Sequence, residues 1–332
     1  MAARVHETAP YGDAGPGGTG DGAPTHDAGD APGIYWEVGV DRRPGRENVY
    51  GHRKRLEFIA ARLDEQRTFV GADLNQPVSA TAAAARDAAP LKVLDFGCGT
   101  GVMITRPLAR LGHDVVGIDI DAVSIRQANR LNADPALANL RYVVGRLEAQ
   151  PWEGEFDAVV ASEVLEHIPD PAAFLNLLAR CLKREGLLLL TVPNGYGPFE
   201  MDSHLWELMK KIPGFWRVES AWHRLRARLQ DLTGRHAVQA AAAAEDAPES
   251  LSTLNDNSPH CQRFTHGAVL RLVEGLGFTC VAEARSALWS GPMAHTLLRD
   301  CPRLIALNGR LADNGPAFTA SGWYFAFRKT VA

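Results

Sequence analysis

Two acids and an imidazole fall within five positions of the segment SEVLEHIPD, residues 162–170, directly after an apolar run. Glu163, Glu166 and His167 have the spacing i, i+3 and i+4, which would place all three on one face of a helical turn. Such a set could bind a metal ion, form a general base with its orienting acids, or simply begin a surface helix. The elements that position this segment must decide between these three interpretations.

Bulk composition narrows the class of protein. The chain has 332 residues, of which 46% are hydrophobic, enough for one large α/β core or two smaller domains. A net charge of −4 and a pI near 6.3 make nucleic acid an unexpected partner. Five cysteines without a CxxC pair fit a reducing compartment. With no evident signal peptide and no membrane-spanning apolar run, the expected location is cytoplasmic. The oligomeric state cannot be predicted.

The composition divides the chain into five segments. Residues 1–33 contain eight Gly and four Pro with almost no large apolar side chains, which predicts disorder. Residues 34–90 are expected to form an N-terminal helical segment and an Ala-rich loop, and residues 91–198 a cofactor-binding core. Residues 199–258 then form a helical insertion, and residues 259–332 complete the core.

Short apolar runs alternate with helix-like stretches from residue 91 onward. The runs are LKVLDF, DVVGID, LRYVV, FDAVVA, LLLLTV, FTCVAEA and GWYFAFR. The first five are continuously hydrophobic, as is typical of parallel strands buried on both faces. Asp170-Pro171 is a typical helix start. The pattern therefore predicts an α/β protein with a doubly wound, mostly parallel seven-stranded sheet and a helical insertion after strand five. Its ligands should bind at the carboxyl ends of the strands.

A glycine-rich loop, DFGCGTG, follows the first strand. Gly97, Gly99 and Gly101 permit tight turning and close approach of the backbone to a ligand at the start of the next helix. Asp95 precedes the loop, where a carboxylate suits an ammonium group or an ordered water better than a pyrophosphate. Asp119 ends the second strand, where an acid can accept hydrogen bonds from both hydroxyls of a ribose. We therefore expect a nucleoside-containing cofactor.

In these motifs the sequence resembles the class I S-adenosylmethionine-dependent methyltransferases. VLDFGCGTG and GIDID resemble their first and second motifs, and FDAVVASEVLEHI and LLLLTVPN their fourth-strand and fifth-strand motifs. The resemblance implies S-adenosylmethionine as the cofactor, with Gly97 and its neighbours at the methionine portion. It also implies Asp119 at the ribose, with Ile120 in the same site, and Ser162 at the adenine or sulfonium edge.

One position departs from the family pattern. Many members carry an acid after the third strand for the adenine amine, whereas this sequence has Arg146. Backbone groups of Arg146 and Leu147, or the side chain of Glu148, are therefore expected to bind the adenine.

Within that class the sequence bears a closer resemblance to the ubiquinone-biosynthesis O-methyltransferases. HRKRLEFIA, in a helix predicted over residues 48–69, resembles a segment whose arginine contacts the cofactor carboxylate, which implies this role for Arg55. A solvated helix face is the alternative for this arginine.

The pattern E-x-x-E-H holds a divalent ion in the ubiquinone-type enzymes and in small-RNA 3′-terminal 2′-O-methyltransferases. The resemblance implies Glu163, Glu166, His167 and His260 as ligands of Mg or another divalent cation. The alternatives are His167 as a metal-free general base and a purely structural use of the motif.

The resemblance implies O-methylation of a small-molecule or glycan-like acceptor, with His167 as the catalytic residue. Asn194 and Tyr196, just past strand five, would face the acceptor, and the insertion would be a lid over it. The alternatives are a metal-dependent 2′-O-methyltransferase acting on a nucleic-acid terminal ribose and a non-catalytic cofactor-binding regulator. Residues 204–229 combine an apolar stripe with surplus Lys and Arg, so weak contact with a membrane surface is a further possibility.

Overall fold

Seven strands of the computed structural model form one sheet. In chain order they are β1 (Lys92–Phe96), β2 (Asp114–Asp119), β3 (Leu140–Val144), β4 (Phe156–Ser162), β5 (Leu182–Pro193), β6 (Phe278–Arg285) and β7 (Gly322–Lys329). Across the sheet the order is β3-β2-β1-β4-β5-β7-β6. Strands β1 to β5 pair in parallel, whereas β7 is antiparallel to both β5 and β6. The predicted doubly wound, mostly parallel sheet is confirmed.

The structure describes five stretches of the chain: residues 47–71, 89–132, 137–214, 260–298 and 301–330. All of them belong to one unit, Gly33–Ala332. The predictions for residues 1–33, for most of the Ala-rich loop and for the insertion beyond residue 214 lie outside the described residues.

Eight helices occur in the described stretches. They are α1 (His52–Gly71), α2 (Thr105–Arg110), α3 (Ala122–Leu131), α4 (Pro171–Cys181), α5 (Pro198–Lys210), α6 (His266–Glu274), α7 (Pro292–Leu298) and α8 (Pro302–Asn314). Helix α4 begins as predicted, because the Asp170 carboxylate accepts a hydrogen bond from the Ala173 amide and Pro171 occupies the first turn. Helices α7 and α8, between β6 and β7, were not predicted.

Both faces of the sheet are buried. On one face, strand residues such as Leu94 and Val159 pack with Leu178 of α4. On the other face, the neighbouring residue Val93 packs with Ile59 of α1. Successive strand residues point to opposite faces, so burial on both sides requires an apolar residue at every position. This requirement explains the continuous hydrophobicity of the runs.

Helix α5 begins the predicted insertion, and its apolar stripe does not face the protein core. Leu205 and Leu208 of α5 and Ile212 just beyond its end are exposed, whereas Asp202 and Trp206 form the buried side of the helix. Polar anchoring at Asp202 sets which face of α5 is buried. The predictions that the insertion is a lid or contacts a membrane surface stay predictions. None of the helices that the structure describes has the length and apolar character needed to cross a membrane.

Candidate active site

A cavity of about 810 Å³ opens at the carboxyl ends of β1, β2 and β4. Most residues expected from the sequence to form the site line this one cavity: Arg55, Asp95, Gly97, Gly99, Gly101, Asp119, Ile120, Leu147, Ser162, Glu163, Glu166, His167 and His260. The sequence thus predicts residues that the fold gathers from six separate parts of the chain.

The glycine loop is shaped by its own backbone. The amides of Gly97 and Cys98 both donate to the Ile118 carbonyl, at 2.8 and 3.1 Å, which ties the loop to the end of β2. Gly101 has a φ of +71°, and a Cβ at this position would overlap the Tyr142 hydroxyl. Only glycine fits there, so the loop can curve closely around a ligand at the start of α2.

Asp119 links this loop to β2. Its two carboxylate oxygens accept hydrogen bonds from the amides of Gly99 and Asp121, each at 2.8 Å. A carboxylate has about four acceptor positions, so each oxygen can still accept from a ligand hydroxyl. The side chain is therefore held in place and remains able to bind a vicinal diol.

Asp95 lies beneath the loop and is 3% exposed. Its carboxylate accepts a hydrogen bond of 2.6 Å from the Thr105 hydroxyl at the start of α2. Burial raises the pKa of Asp95 to about 7, although the bond from Thr105 acts in the opposite direction. The carboxyl thus joins β1 to α2 under the cavity.

We expect Asp95→Asn to become more stable relative to the wild type as the pH rises. The folded-state pKa lies above the ordinary value of 3.8, so the folded state binds the proton more tightly than the unfolded state between these two values. Wild-type stability therefore falls over this range, by as much as about 4 kcal/mol, and the variant lacks this loss. Urea unfolding of both proteins at pH 4 and pH 8 measures the difference. A difference that does not change with pH would contradict the prediction.

A chain of hydrogen bonds lies along the cavity floor. Arg55 Nη1 donates to Ser162 Oγ at 3.1 Å, and Ser162 Oγ lies 2.8 Å from the Thr191 hydroxyl. Thr191 in turn donates to Glu163 Oε1 at 2.7 Å, and Arg55 lies 3.5 Å from the same oxygen. Since Thr191 has one proton to give, Ser162 must be its donor. The network fixes Arg55 as a nearly buried cation beside the cavity.

The segment SEVLEHIPD does not form one helical turn, so the expected common face of three side chains is wrong. Glu163 has a φ of +55°, and only Leu165–His167 form a short 3₁₀ turn. The left-handed residue at the end of β4 turns the chain before that helical turn begins. Glu163 therefore faces Arg55 and Thr191 rather than sharing a face with Glu166 and His167.

Three of the four predicted metal ligands come together. Ligand atoms of Glu166, His167 and His260 lie within 4.8 Å of one another, and the two imidazole rings meet edge to face with centroids 5.0 Å apart. His260 is held there because the amides of Cys261 and Gln262 both donate to the Glu166 carbonyl, at 2.8 and 2.9 Å. Glu163 is not part of this group.

The Glu166 carboxyl group is the most deeply buried member of the cluster, at 2% exposure. Burial, followed by the negative charge of Glu163, raises its pKa well above the ordinary value. Oε2 is buried and has no hydrogen-bond partner among the described residues. An unpaired buried carboxyl oxygen is costly, so this oxygen is suited to a ligand or an ion.

Two predicted acceptor contacts do not reach the cavity. Asn194 is buried, and its amide donates to the carbonyls of Phe318 and Ala320, at 2.9 and 2.8 Å. Tyr196 is 66% exposed, and neither residue lines the cavity. The prediction that they face the acceptor is therefore corrected: Asn194 ties the end of β5 to the segment before β7, and Tyr196 points to solvent.

Aromatic residues that sequence reasoning missed form another wall of the cavity. Tyr50, His52, Phe199 and Tyr324 line it. The Tyr50 ring stacks on His52 with centroids 5.8 Å apart and meets Phe199 edge-on at 6.5 Å. A signal was available, since Tyr50 and His52 lie at the start of the helix predicted over residues 48–69, close to Arg55, and Phe199 follows strand five.

The structure leaves both adenine-side alternatives open. Leu147 is buried and begins a 3₁₀ turn after Arg146, and the Gly145 amide donates to the Asp119 carbonyl at 2.9 Å. The side chain of Glu148 is exposed and lies in the same turn. Arg146, Leu147 and Glu148 all line the cavity.

Comparison with known proteins identifies the family. A family model described as a methyltransferase domain matches residues 64–283, more than half of the chain. The chain therefore belongs to the methyltransferase domain family, of which S-adenosylmethionine is the implied cofactor. The resemblance to class I methyltransferases predicted from the motifs is confirmed.

Individual relatives show how far the similarity extends. A ubiquinone biosynthesis O-methyltransferase of Xanthomonas oryzae pv. oryzae is 40% identical over 110 residues, 32% of this chain and 45% of that protein. The human mitochondrial ubiquinone biosynthesis O-methyltransferase is 43% identical over 108 residues, 31% of this chain and 29% of that protein. A solved S-adenosylmethionine-dependent methyltransferase from Mesorhizobium loti is 15% identical over 72% of this chain and 91% of that one, with a TM-score of 0.43. The chain thus spans less than half the length of the curated relatives it matches.

Proposed function

We propose that the protein transfers a methyl group from S-adenosylmethionine to a hydroxyl of a small-molecule or glycan-like acceptor. The observation that carries this proposal is a single cavity lined both by the glycine loop with Asp119 and by the cluster of Glu166, His167 and His260. A cofactor site and a proton-accepting site in one cavity are what methyl transfer to oxygen requires. The net charge of −4 favours a small acceptor over a nucleic-acid ribose.

The cofactor fits the residues present. The glycine loop has no side chain at Gly101, which leaves room for the backbone to approach the cofactor closely. Asp119 accepts hydrogen bonds from the ribose hydroxyls, and Arg55 binds the carboxylate of the cofactor. When bound, S-adenosylmethionine supplies a methyl group on a positively charged sulfur. The chain's own part is to hold the acceptor oxygen in line with that methyl and to remove its proton.

His167 is the proposed general base, and the cluster around it also fits a divalent ion. Two imidazoles and a buried carboxyl oxygen that no residue in the described stretches hydrogen-bonds suit Mg, Mn or Fe. Glu166, His167 and His260 would hold the ion, which would lower the pKa of a coordinated hydroxyl. Glu163 accepts a hydrogen bond from Thr191 and pairs with Arg55, so it would help to hold Arg55 in place beside the site.

The acceptor is proposed to bind between this cluster and the aromatic wall. Tyr50 and Phe199 offer ring surface against an apolar or planar group. Phe199 lies on α5, so the insertion that begins there forms part of the pocket, which supports the lid hypothesis. Contact of residues 204–229 with a membrane surface stays a prediction; the exposure of Leu205, Leu208 and Ile212 is compatible with it.

Acceptor screening tests the proposal directly. The purified chain is incubated with S-adenosylmethionine and a panel of phenols, catechols, sugars and short RNA oligonucleotides, and release of S-adenosylhomocysteine is measured. Turnover of hydroxyl-bearing small molecules is expected. Turnover of the RNA alone would favour the terminal-ribose alternative, and tight cofactor binding without any turnover would favour a regulator.

Asp119→Ala is expected to weaken S-adenosylmethionine binding by about 1–3 kcal/mol, because hydrogen bonds to a charged acceptor are lost. Titration calorimetry measures the change. Asp114→Ala is the matched control, since Asp114 is exposed at the opposite end of the same strand. If the wild type binds NAD tightly and S-adenosylmethionine not at all, the proposed cofactor is wrong.

A further inference from the structure

Helix α5 contributes an acid, Glu200, to the catalytic cluster, and sequence reasoning did not single out this acid. Glu200 lies in the first turn of α5, and its Oε1 is 3.2 Å from His260 Nδ1. The two side chains are only 17% and 22% exposed. The contact joins residues separated by 60 positions in the chain, so local sequence patterns could not reveal it.

This contact specifies which nitrogen of His260 carries the proton. A carboxylate can only accept hydrogen bonds, so Nδ1 must be the donor. In the neutral ring the lone pair is then on Nε2. A histidine in this tautomer can take a proton from an acceptor hydroxyl or bind an ion through Nε2, and the opposite tautomer can do neither with that atom.

The backbone that carries Glu200 is fixed from the other side of the helix. Asp202 is 4% exposed, and its carboxylate accepts from the Trp289 indole at 2.7 Å and from the amides of Met293 and Ala294 at 2.8 and 3.1 Å. These amides belong to the first turn of α7, so Asp202 caps that helix and locks α5 onto it. Glu200 is therefore presented to His260 from a rigid element.

We propose that Glu200 is a positioning residue that holds His260 in the Nδ1–H tautomer, with the Nε2 lone pair available to the cavity. Hydrogen bonding of one imidazole nitrogen to a carboxylate fixes the ring and its tautomer in metal sites and in catalytic triads. The tautomer assignment stands on geometry alone, whereas its importance for turnover rests on the proposed function. The start of the insertion thus couples to catalysis through Glu200.

NMR spectroscopy of ¹⁵N-histidine-labelled protein tests the assignment without any substrate. Long-range ¹H–¹⁵N correlations distinguish the two tautomers, and the His260 signals are assigned from their loss in His260→Gln. The wild type should show Nδ1–H, and Glu200→Ala should shift His260 toward Nε2–H. Glu200→Gln should retain Nδ1–H, because its amide oxygen still accepts the bond. Glu207→Ala, which removes an exposed acid paired with Lys210 on the same helix, should change nothing.

Kinetics then separate positioning from general stability. With an acceptor identified, Glu200→Ala should lower kcat by roughly 10-fold to 100-fold, the usual effect of removing such a partner. The KM for S-adenosylmethionine should stay unchanged, and Glu200→Gln should recover most of the rate. An Nε2–H tautomer in the wild type, or an unchanged Nδ1–H tautomer in Glu200→Ala, would overturn the proposal. Absence of turnover in the wild type would sink the proposed function and leave the NMR result to decide on Glu200.

Discussion

His167→Ala is expected to lower kcat by roughly 10² or more, because both proposed roles of this imidazole act on the acceptor proton. The ring lines the cavity, and its Nε2 lies 3.8 Å from Glu166 Oε1. Steady-state release of S-adenosylhomocysteine is the measurement. His266→Ala is a suitable control, since that imidazole pairs with Glu283 at 2.9 Å and does not line the cavity.

Chelation and a second histidine variant distinguish the two chemical roles. If an ion binds Glu166, His167 and His260, EDTA abolishes turnover, Mg or Mn restores it, and His260→Ala behaves like His167→Ala. If His167 acts as a base without a metal, EDTA has no effect and His260→Ala retains more activity than His167→Ala. Full activity in His167→Ala, with or without chelator, would leave only a structural use of the segment.

Gly101→Ala is expected to lower the free energy of unfolding by about 2–5 kcal/mol. A left-handed residue with a Cβ costs about 1–2 kcal/mol, and overpacking adds about 1–3 kcal/mol. The overlap is with Tyr142, whose ring cannot easily move because its hydroxyl accepts a 2.7 Å hydrogen bond from Asn132. Urea unfolding measures the loss.

Gly99→Ala separates backbone strain from overlap. Gly99 has a φ of +54°, but no described atom lies within 4 Å of a Cβ built there. This variant should therefore lose only the roughly 1–2 kcal/mol of conformational strain. Equal losses in the two variants would show that the Tyr142 contact does not matter.

The fold could be predicted because its main elements are encoded locally. Burial on both faces favours continuous runs of apolar residues, as in residues 158–161 of β4 and 187–190 of β5, and the capped start at Asp170 is a short-range signal. Helices α7 and α8 lack such signals. Helix α7 has only seven residues, and α8 contains Gly309 and exposes Leu304 and Leu311, so its apolar pattern does not mark one buried face.

The site could be predicted only for residues whose role follows from their position at the carboxyl end of a strand. Asp119 and the glycine loop are placed by β1 and β2, whose direction the sequence indicates. Asn194 also follows a strand, but carbonyls more than 120 residues further along the chain bind its amide. Glu163 was misplaced because its positive φ cannot be read from a helical spacing. Long-range partners and backbone reversals are the information that motifs lack.

The order of strands has a consequence for how the chain folds during synthesis. Strand β7 lies between β5 and β6, yet it is made after both. Until residues 322–329 are available, β5 has an open edge and β6 has no neighbour in the sheet, and such unpaired edges promote association with other chains. A nascent chain halted between β6 and β7 should therefore bind chaperones and be cleaved readily by protease, whereas one extended past β7 should resist cleavage.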